Sequence, residues 1–529
     1  MLAGCLSPGK ATHITQAADA QAVRVSTEQG EVVGRRSAQG RVFLNIPYAA
    51  PPVGKLRFMA PQPPAPWAAP RDAHVAGATC MQNLDMRVFN GKPRRMFITG
   101  DEDCLNLNIY APADMVSGEK LPVMVWLHGG GWVVGSNVMY DLSVMAQRQR
   151  LVMVAPNYRL GALGFLTLPA LRDENGGHAS PGLLDQQAAL RWVQANIGAF
   201  GGDARNVTLF GESAGSWSVC QQLTSPAAQG LFHRAIIQSG TCSLPASSPP
   251  LAQADAGGER YASELGCPAG KQQTACLRQL SARSLLAQPA QTAGVMGAHS
   301  WNPAWGDATL PMHPKEAIAA GRFHRVPIME GYTSDEGALF AFMLRTSGEV
   351  RTLASYRKAL QIQYGAGAEQ VLAAYPPEKY ADAASAYGEA LSDSVFVCPS
   401  QQFERLAARH TPVYAYRFDD PQPARRASRT FFKDLQGAFH ASELVYIMHT
   451  PWVLAKPEHF TDEQLQLAHR MQAAWAHFAR HGAPGVATWQ AVNPAAPTAY
   501  VLRPGAAADR IAHPEDDARC AFWNSLPTP

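Results

Sequence analysis

Short apolar runs recur along the chain and alternate with stretches of helical spacing. Nearly all positions are apolar in residues 123–127, 151–155, 207–210, 235–237 and 326–329. Runs of this kind are typical of strands whose two faces are both covered by helices in a parallel sheet. Residues 184–193, which lie between two of these runs, space Leu, Ala and Val as one face of a helix does. The alternation predicts an α/β fold with a doubly wound, mostly parallel sheet.

The flanking segments predict additions to this sheet. Three β-rich segments come first, at 23–26, 32–33 and 42–48, and the proline-rich stretch 51–70 predicts an extended surface segment. Residues 245–305 and 338–410 have helical and loop patterns that predict insertions rather than separate domains. The first 22 residues lack periodicity and predict a mobile tail, which leaves one large domain over 23–529.

Composition and charge narrow the class of protein. Of the 529 residues, 47% are hydrophobic and 16% are charged, and 45 basic against 42 acidic side chains give a formal net charge of +3. A disordered chain has fewer apolar residues and a larger charge imbalance. Nucleic-acid-binding proteins usually have a strong basic excess. We therefore expect a globular protein with a small-molecule partner, no nucleic acid, and no transmembrane helix, because no apolar run approaches about 20 residues.

A serine flanked by glycines follows one of the predicted strands. The pentapeptide Gly-Glu-Ser-Ala-Gly at 211–215 lies between strand 206–210 and a helix-compatible run at 216–223. Strand, sharp glycine turn and helix form the context of a nucleophile elbow, which projects a serine hydroxyl above the sheet. Ser213 is therefore the candidate nucleophile, and it needs a base, an acid to orient the base, and an oxyanion hole.

The candidate oxyanion hole follows the first buried strand. The sequence His-Gly-Gly-Gly-Trp at 128–132 comes directly after that strand. Glycines there let backbone N–H groups approach a developing oxyanion without an intervening Cβ. The predicted donors are the N–H groups of Gly130, Gly131 and Ala214.

The acid and the base should follow the nucleophile along the chain in this fold class. Two carboxylates, Asp335 and Glu336, come shortly after strand 326–329, and His440 lies in a loop before a helix-like segment. Either carboxylate can orient a histidine. Because the chain has 16 histidines, spacing alone does not single out His440.

Together these segments resemble the type-B carboxylesterase family, which includes the cholinesterases, mammalian carboxylesterases and bacterial para-nitrobenzyl esterases. The motifs that carry the resemblance span nearly all of 23–529: Asn-Ile-Pro-Tyr-Ala at 45–49, Pro-Pro-Val-Gly at 51–54, Glu-Asp-Cys-Leu-Asn-Leu-Asn at 102–108, 128–132, Asn-Tyr-Arg at 157–159, 182–203 and 211–215. The resemblance implies a bacterial member with an α/β-hydrolase fold. That fold has a mostly parallel central sheet, helices on both faces and long helical insertions.

The resemblance also assigns the acid and the base. The family's Asp-Glu-Gly motif matches 335–337, and its GxxHxxE pattern matches 437–443. The triad acid is then Glu336, with Asp335 as its neighbour, and the base is His440.

The implied reaction is ester hydrolysis through an acyl-enzyme. Ser213 attacks the ester carbonyl while His440 takes its proton, and water then releases the acid by the same route. Ser239 and Glu212 are expected to support the triad. Activity should rise as the imidazole loses its proton, at roughly pH 6 to 7 for an ordinary histidine. We expect no metal and no cofactor, because no ligand-spaced His/Cys cluster occurs outside the cysteine pairs.

Four tryptophans are candidates for an apolar substrate pocket: Trp132, Trp217, Trp301 and Trp305. Such a pocket favours bulky xenobiotic or natural-product esters. For the last two tryptophans, ordinary core packing is an equal alternative.

A basic cluster adds a second substrate hypothesis. In cholinesterases the loop that corresponds to 80–104 carries a tryptophan that holds a quaternary ammonium group. Here the loop has no tryptophan but contains Lys92, Arg94 and Arg95. This cluster argues against choline esters and favours anionic polycarboxylate esters such as mycotoxin esters, or it is a solvated surface run.

Two other functions remain open. An amidase or carbamate hydrolase could use the same triad. A non-catalytic adhesion module like the neuroligins is disfavoured because the nucleophile, the acid and the base are all present. The sequence predicts no oligomeric state.

Nine cysteines indicate the compartment. The spacing suggests loop-closing pairs at Cys80/Cys104 and Cys267/Cys276, which persist only under oxidising conditions. Reduced thiols in a cytosolic enzyme are the alternative. The resemblance implies these two pairs and adds Cys398/Cys520, so we expect a secreted or periplasmic protein.

Three cysteines are left over in this scheme. Cys220 is expected to be a buried packing thiol, and Cys242 is left unpaired. Leu2-Ala3-Gly4-Cys5 resembles a lipobox, which makes Cys5 a candidate lipid anchor, although no apolar segment precedes it and a chance match is the alternative.

Overall fold

The computed structural model describes residues 13–84, 97–116, 118–287, 301–423, 435–449, 456–505, 510–512 and 518–526. Its strands form one large mixed sheet and one small two-stranded sheet. The strands are β1 Gln21–Thr27, β2 Gly30–Ser37, β3 Gly40–Pro47, β4 Arg71–Asp72, β5 Gln82–Asn83, β6 Ile98–Thr99, β7 Asn106–Ala111, β8 Leu121–Leu127, β9 Val152–Pro156, β10 Gly202–Glu212, β11 Arg234–Gln238, β12 Ile328–Thr333, β13 Val413–Phe418, β14 Ala499–Leu502 and β15 Arg510–Ala512.

The large sheet is parallel at its centre and antiparallel at its edges. Its order is β1-β2-β3-β7-β9-β8-β10-β11-β12-β13-β14-β15, with β4 beside β2. Every neighbouring pair from β9 to β14 is parallel. Along this order, the pairs from β1 to β9 and the pair β14–β15 are antiparallel, whereas β4 pairs with β2 in parallel. The predicted mostly parallel sheet is confirmed, and the five apolar runs fall in β8 to β12.

Helices cover both faces of this sheet. They are α1 His13–Gln16, α2 Ser143–Gln149, α3 Gly161–Phe165, α4 Pro169–Glu174, α5 Pro181–Asn196, α6 Ala214–Thr224, α7 Leu251–Glu264, α8 Gln273–Gln279, α9 Ala282–Ala287, α10 Pro314–Ala319, α11 Gly337–Ser347, α12 Leu353–Tyr364, α13 Ala368–Ala374, α14 Ala383–Leu391, α15 Cys398–Ala407, α16 Leu444–Met448, α17 Asp462–His481 and α18 Ala518–Ser525. A π-helix, Ser392–Val397, joins α14 to α15. Side chains of α5 and α6 belong to the core on one face, and those of α2, α16 and α17 to the core on the other.

The lack of polar positions in β8 follows from this layering. Val123, Val125 and Leu127 point into one core. Met124 and Trp126 point into the other. Both faces of the strand are therefore apolar, and the alternation of a half-exposed strand does not appear.

The sheet begins earlier than the sequence predicts. β1 starts at Gln21, and its first two residues pair with Arg36 and Arg35 of β2. The strand is held mainly by this backbone pairing, because its first residues are exposed and carry no apolar alternation. The predicted helical character of both insertions agrees with α7 to α9 and with α11 to α15.

Four disulfides connect the described cysteines. Three have the predicted partners, Cys80–Cys104, Cys267–Cys276 and Cys398–Cys520. The fourth is Cys220–Cys242, so the prediction that these two cysteines are left over is wrong.

The fourth pairing follows from the βαβ geometry. Cys220 lies on α6, which runs back across the sheet, and Cys242 follows the adjacent parallel strand β11. Their Cα atoms are 5.1 Å apart, within the range that a disulfide requires. A separation of 22 residues along the chain does not reveal this proximity. Cys5 lies outside the described residues.

None of the described helices combines the length and the apolar character that a bilayer span requires.

Candidate active site

Ser213 occupies a sharp turn between β10 and α6. Its backbone has φ 56° and ψ −124°, a conformation that is costly for a residue with a Cβ. A Cβ on Gly211 would lie 2.5 Å from the carbonyl carbon of Gly215, and one on Gly215 would lie 2.0 Å from the Leu127 oxygen. Both glycines are therefore required by crowding between the turn and β8. The geometry is that of a nucleophile elbow.

The backbone around Ser213 is firmly held. Its N–H donates to the Gln238 oxygen at 3.0 Å. Its own carbonyl accepts from the Ser216 hydroxyl at 2.6 Å and from the Trp217 N–H at 3.0 Å. Three hydrogen bonds to the main-chain N–H and carbonyl of Ser213 thus fix its strained conformation.

His440 lies between two buried carboxylates. Its Nδ1 is 2.5 Å from Glu336 Oε2, and its Nε2 is 3.0 Å from Glu212 Oε1. Among the described residues, no hydrogen bond joins the imidazole to the Ser213 hydroxyl. The ring is therefore paired with carboxylates at both nitrogens, and Glu212 lies at Nε2, the nitrogen expected to face Ser213.

The two carboxylates change the protonation of the imidazole. Burial disfavours the charged ring, but Glu212, Glu336 and Glu443 outweigh it and raise the pKa of His440 to about 9. Burial also raises the pKa of Glu212 to about 8; His440 opposes this rise, and Glu443 and Glu336 add to it. The raised pKa values of His440 and Glu212 lie close together, so the imidazole should titrate at higher pH than an ordinary histidine.

The turn after β12 separates the roles of the two adjacent carboxylates. Glu336 faces His440, and its other oxygen accepts from the Thr333 N–H at 2.8 Å. Asp335 instead accepts from the Ala438 N–H at 2.8 Å, and its own N–H donates to the Ala438 oxygen at 3.0 Å. Asp335 therefore ties the acid turn to the loop that carries His440. The sequence left this choice open before the resemblance was considered.

The glycine loop after β8 packs directly on the nucleophile. A Cβ on Gly129 would lie 3.1 Å from Ser213 Cβ and 2.7 Å from a Glu212 carboxylate oxygen. Gly130 and Gly131 have φ values of 107° and 64°. Within the described parts of the chain, their N–H groups donate to no other residue, so both donors are available to a ligand. Ala214 is the first residue of α6, and its N–H lies beside these two donors.

Two of the four candidate tryptophans lie next to this site. Trp132 and Trp217 have ring centroids 5.7 Å apart, and Trp132 Nε1 donates to Ser218 Oγ at 2.9 Å. Trp217 stacks on Phe396 with centroids 6.2 Å apart. These rings begin an aromatic wall that leads to His440.

Two phenylalanines that sequence reasoning missed complete this aromatic wall. The rings of Phe396 and Phe340 lie 5.0 and 5.2 Å from the His440 ring. Phe340 follows Glu336 by four residues on α11, and this helical spacing is a usable signal. Phe396 lies on the π-helix, and no local pattern singles it out. We call Trp132, Trp217, Phe396 and Phe340 the aromatic wall.

The other two tryptophans lie in the insertion between β11 and β12. Trp301 packs edge-on against Tyr261, with centroids 4.8 Å apart. Trp305 lies edge-on to His313 at 6.2 Å. Within the described residues, neither ring stacks on the aromatic wall.

Ser239 does not contact the acid through its side chain. It has φ 50°, and its N–H donates to the Gly331 oxygen at 2.8 Å. Its buried hydroxyl has no hydrogen-bond partner among the described residues. The N–H of Thr333 supports Glu336 instead. The basic cluster Lys92, Arg94 and Arg95 lies outside the described residues.

Comparisons with known proteins agree with this geometry. A family model described as the carboxylesterase family matches residues 21–523. The acylcarnitine hydrolase of Mus musculus is 36% identical over 496 residues, covering 88% of this chain and 84% of that protein. The para-nitrobenzyl esterase of Bacillus subtilis (strain 168) is 36% identical over 481 residues, covering 89% and 91%. A solved structure of a PNB esterase superposes with a TM-score of 0.76 at 32% identity and covers 94% of this chain and 99% of its own.

Proposed function

Since this chain belongs to the carboxylesterase family, we propose that it hydrolyses carboxylic esters with a Ser213–His440–Glu336 triad and an acyl-enzyme intermediate on Ser213. The observation that supports this most strongly is the 2.5 Å contact between Glu336 and the His440 Nδ1, beside a serine in elbow geometry. The carboxylate holds the imidazole in the tautomer whose Nε2 can accept a proton.

In the acylation step, His440 acts as the neutral imidazole, once the proton on Nε2 has been released to solvent. Nε2 then leaves Glu212 and takes the proton of the Ser213 hydroxyl. The Ser213 oxygen attacks the ester carbonyl, and the N–H groups of Gly130, Gly131 and Ala214 stabilise the oxyanion. The tetrahedral intermediate collapses as the imidazolium gives its proton to the departing alkoxide. The alcohol leaves and the acyl group stays on the serine.

In the deacylation step, water replaces the alcohol. His440 removes a proton from water, which attacks the acyl carbonyl, and then returns the proton to the Ser213 oxygen as the acid leaves. Glu212 lies 3.0 Å from Nε2 and stabilises the imidazolium that forms in both steps.

The aromatic wall supports bulky, apolar xenobiotic or natural-product esters as substrates. Aromatic side chains bury large apolar groups with little loss of side-chain freedom. Three buried carboxylates, Glu212, Glu336 and Glu443, surround the base, so an anionic substrate would have to hold its charged groups away from the reacting centre. Polycarboxylate esters such as mycotoxin esters therefore depend on the basic cluster at 92–95. A panel of esters that varies acyl length and charge tests the polycarboxylate hypothesis. A marked preference for neutral short-chain esters would exclude anionic substrates.

The decisive test of the triad is Ser213→Ala. Turnover of a p-nitrophenyl ester should fall on the order of 10⁴-fold or more, because the nucleophile is lost. The exposed serine of α7 provides a matched control, Ser263→Ala, which should behave as wild type. An organophosphate should label Ser213 covalently in the wild-type protein only. Near-full activity in Ser213→Ala would overturn the proposal.

The amidase or carbamate alternative uses the same residues. Turnover of matched ester and anilide substrates separates it from the esterase, which should strongly prefer the ester. The non-catalytic alternative predicts no organophosphate labelling of Ser213.

The four disulfides support a secreted or periplasmic location, because such bonds persist in oxidising compartments. Lipid anchoring at Cys5 is a separate proposal. It predicts that labelled fatty acid is incorporated into the wild-type protein and not into Cys5→Ala.

A further inference from the structure

Two helices meet backbone to backbone directly after the proposed acid. α11 begins at Gly337, the residue that follows Glu336, and it crosses α14 at Gly388. A Cβ on Gly337 would lie 1.7 Å from the Gly388 oxygen, so this position accepts no side chain. The start of α11 is therefore built against the end of α14.

Glu336 cannot cap the helix that it precedes. It occupies the N-cap position of α11, where a side chain usually accepts from a backbone N–H of the first turn. Its carboxylate turns instead to His440 and makes no capping bond. The first N–H groups of a helix need partners from elsewhere in such a case.

Ser392 supplies the missing acceptor from another element. The Gly337 N–H donates to the Ser392 hydroxyl at 2.7 Å, and both groups are buried. Ser392 is the first residue of the π-helix. The same short element carries Phe396, whose ring lies 5.0 Å from the His440 ring. The π-helix thus contacts both the acid's turn and the base, and such helices are frequent at functional sites.

We propose that Ser392 is a positioning residue that holds the start of α11 so that the Glu336 carboxylate stays on His440. This inference rests on the triad proposed above. Without the hydroxyl, the Gly337 N–H is left without an acceptor. The turn then keeps the hydrogen bonds between Asp335 and Ala438 and the Thr333 N–H contact to the carboxylate, and the start of α11 loses its link to the π-helix. A displacement of about 1 Å in such a group can lower the rate on the order of 100-fold.

Ser392→Ala tests this role, with Ser394→Ala as the matched control. Ser394 lies on the same π-helix, but its hydroxyl contacts Tyr364 at 2.9 Å and not the acid's turn. We expect Ser392→Ala to lower kcat by about 10- to 100-fold with little change in KM, since substrate contacts are intact. Ser394→Ala should retain wild-type kcat.

The pH profile provides a readout that a purely structural role would not move. Glu336, together with Glu212 and Glu443, raises the pKa of His440. If Glu336 is displaced, this pKa falls, and the rising limb of kcat/KM shifts to lower pH in Ser392→Ala. The limb should not shift in Ser394→Ala.

An isosteric pair keeps the test valid if Ser392→Ala does not fold. Ser392→Thr retains the acceptor and Ser392→Val removes it at nearly equal volume, so Thr should be much more active than Val. Rates are expressed per active site, titrated with an organophosphate. Wild-type kcat and pH profile in Ser392→Ala, or equal loss in Ser394→Ala, would overturn the inference. Retained activity in Ser213→Ala would instead overturn the triad itself.

Discussion

At His440, each ring nitrogen lies next to a buried carboxylate, and the proposed nucleophile needs the nitrogen that Glu212 contacts. Glu336 orients the ring through Nδ1, whereas Glu212 holds Nε2, the nitrogen that must accept the serine proton. The pairing stabilises a charged ring inside the protein, which burial alone would oppose. The resting site therefore favours the imidazolium that catalysis needs only transiently.

This pairing predicts an alkaline pH dependence. The neutral imidazole is the active form, and its pKa is raised to about 9, so kcat/KM should keep rising well above pH 7. In Glu212→Gln one of the carboxylates that raise this pKa is gone, and the rising limb should move to lower pH by about one unit or more. A pH series of kcat/KM for a neutral ester, recorded for the wild-type protein and for Glu212→Gln, measures the rising limb of each.

The exposed Glu463→Gln is the control for that series and should leave the limb unchanged. A wild-type limb near pH 6 to 7, the range of an ordinary histidine, would contradict the pairing of Nε2 with Glu212.

Some residues of the site could be predicted from sequence and others could not. Ser213 and the glycine loop have local signatures, because strained turns and close backbone approach require glycine at fixed positions. Asp335 and Glu336 are adjacent, and only the three-dimensional turn shows which one faces the base. Ser392 and Phe396 reach the site from a segment more than 50 residues after the acid, so no spacing rule identifies them.

At the scale of elements, β10, α6 and β11 form one βαβ unit that carries the nucleophile. Its strands were predictable because burial on both faces removes polar positions. The disulfide within this unit was not predictable, since Cys220 and Cys242 become neighbours only when α6 packs back on the sheet. A buried helical cysteine is usually a packing residue, but this general expectation does not hold for Cys220.

The disulfide pattern predicts the number of free thiols. Of nine cysteines, eight are paired, so the unfolded, unreduced protein should react with a thiol reagent at Cys5 at most. The pairing expected from the sequence would leave three thiols. Titration of free thiols in guanidinium chloride, before and after reduction, distinguishes one free thiol at most from three. Three thiols before reduction would contradict the Cys220–Cys242 bond.

The same bond should stabilise the fold. It closes a loop of 22 residues, for which chain entropy predicts about 3 kcal/mol of unfolding free energy. The double variant Cys220→Ala/Cys242→Ala should therefore unfold at lower denaturant concentration. Cys267→Ala/Cys276→Ala, which opens a shorter loop of 9 residues, is the control with a smaller expected loss.

At the scale of the whole molecule, the core on the described part of the sheet buries two neighbouring glutamates. Glu330 on β12 and Glu404 on α15 interact with each other in the core, with Ser400 beside them. Burial raises the pKa of Glu330 to about 7, and burial together with Glu330 raises that of Glu404 well above its usual range. The folded protein holds these protons at pH values where the unfolded chain, with glutamates near pKa 4.3, has lost them.

The sign of the linkage follows from these shifts. A carboxyl group whose pKa is raised by folding favours the folded state at low pH, and this stability is lost as pH rises through the interval between the two pKa values. For each such carboxyl group, the free energy of unfolding falls by about 1.4 kcal/mol per pH unit in that interval. The contribution of Glu330 and Glu404 to stability should thus decline from about pH 5 towards pH 8.

Glu404→Gln should remove part of this decline, because an amide of nearly the same shape does not titrate. We expect the variant to gain thermal stability relative to wild type at pH 8 and to gain little or none at pH 5. Melting temperatures of both proteins at the two pH values measure the difference, and the exposed Glu378→Gln provides the control with no pH-dependent gain. An equal change for Glu404→Gln at both pH values would mean that the Glu330–Glu404 pair does not hold its proton in the folded protein.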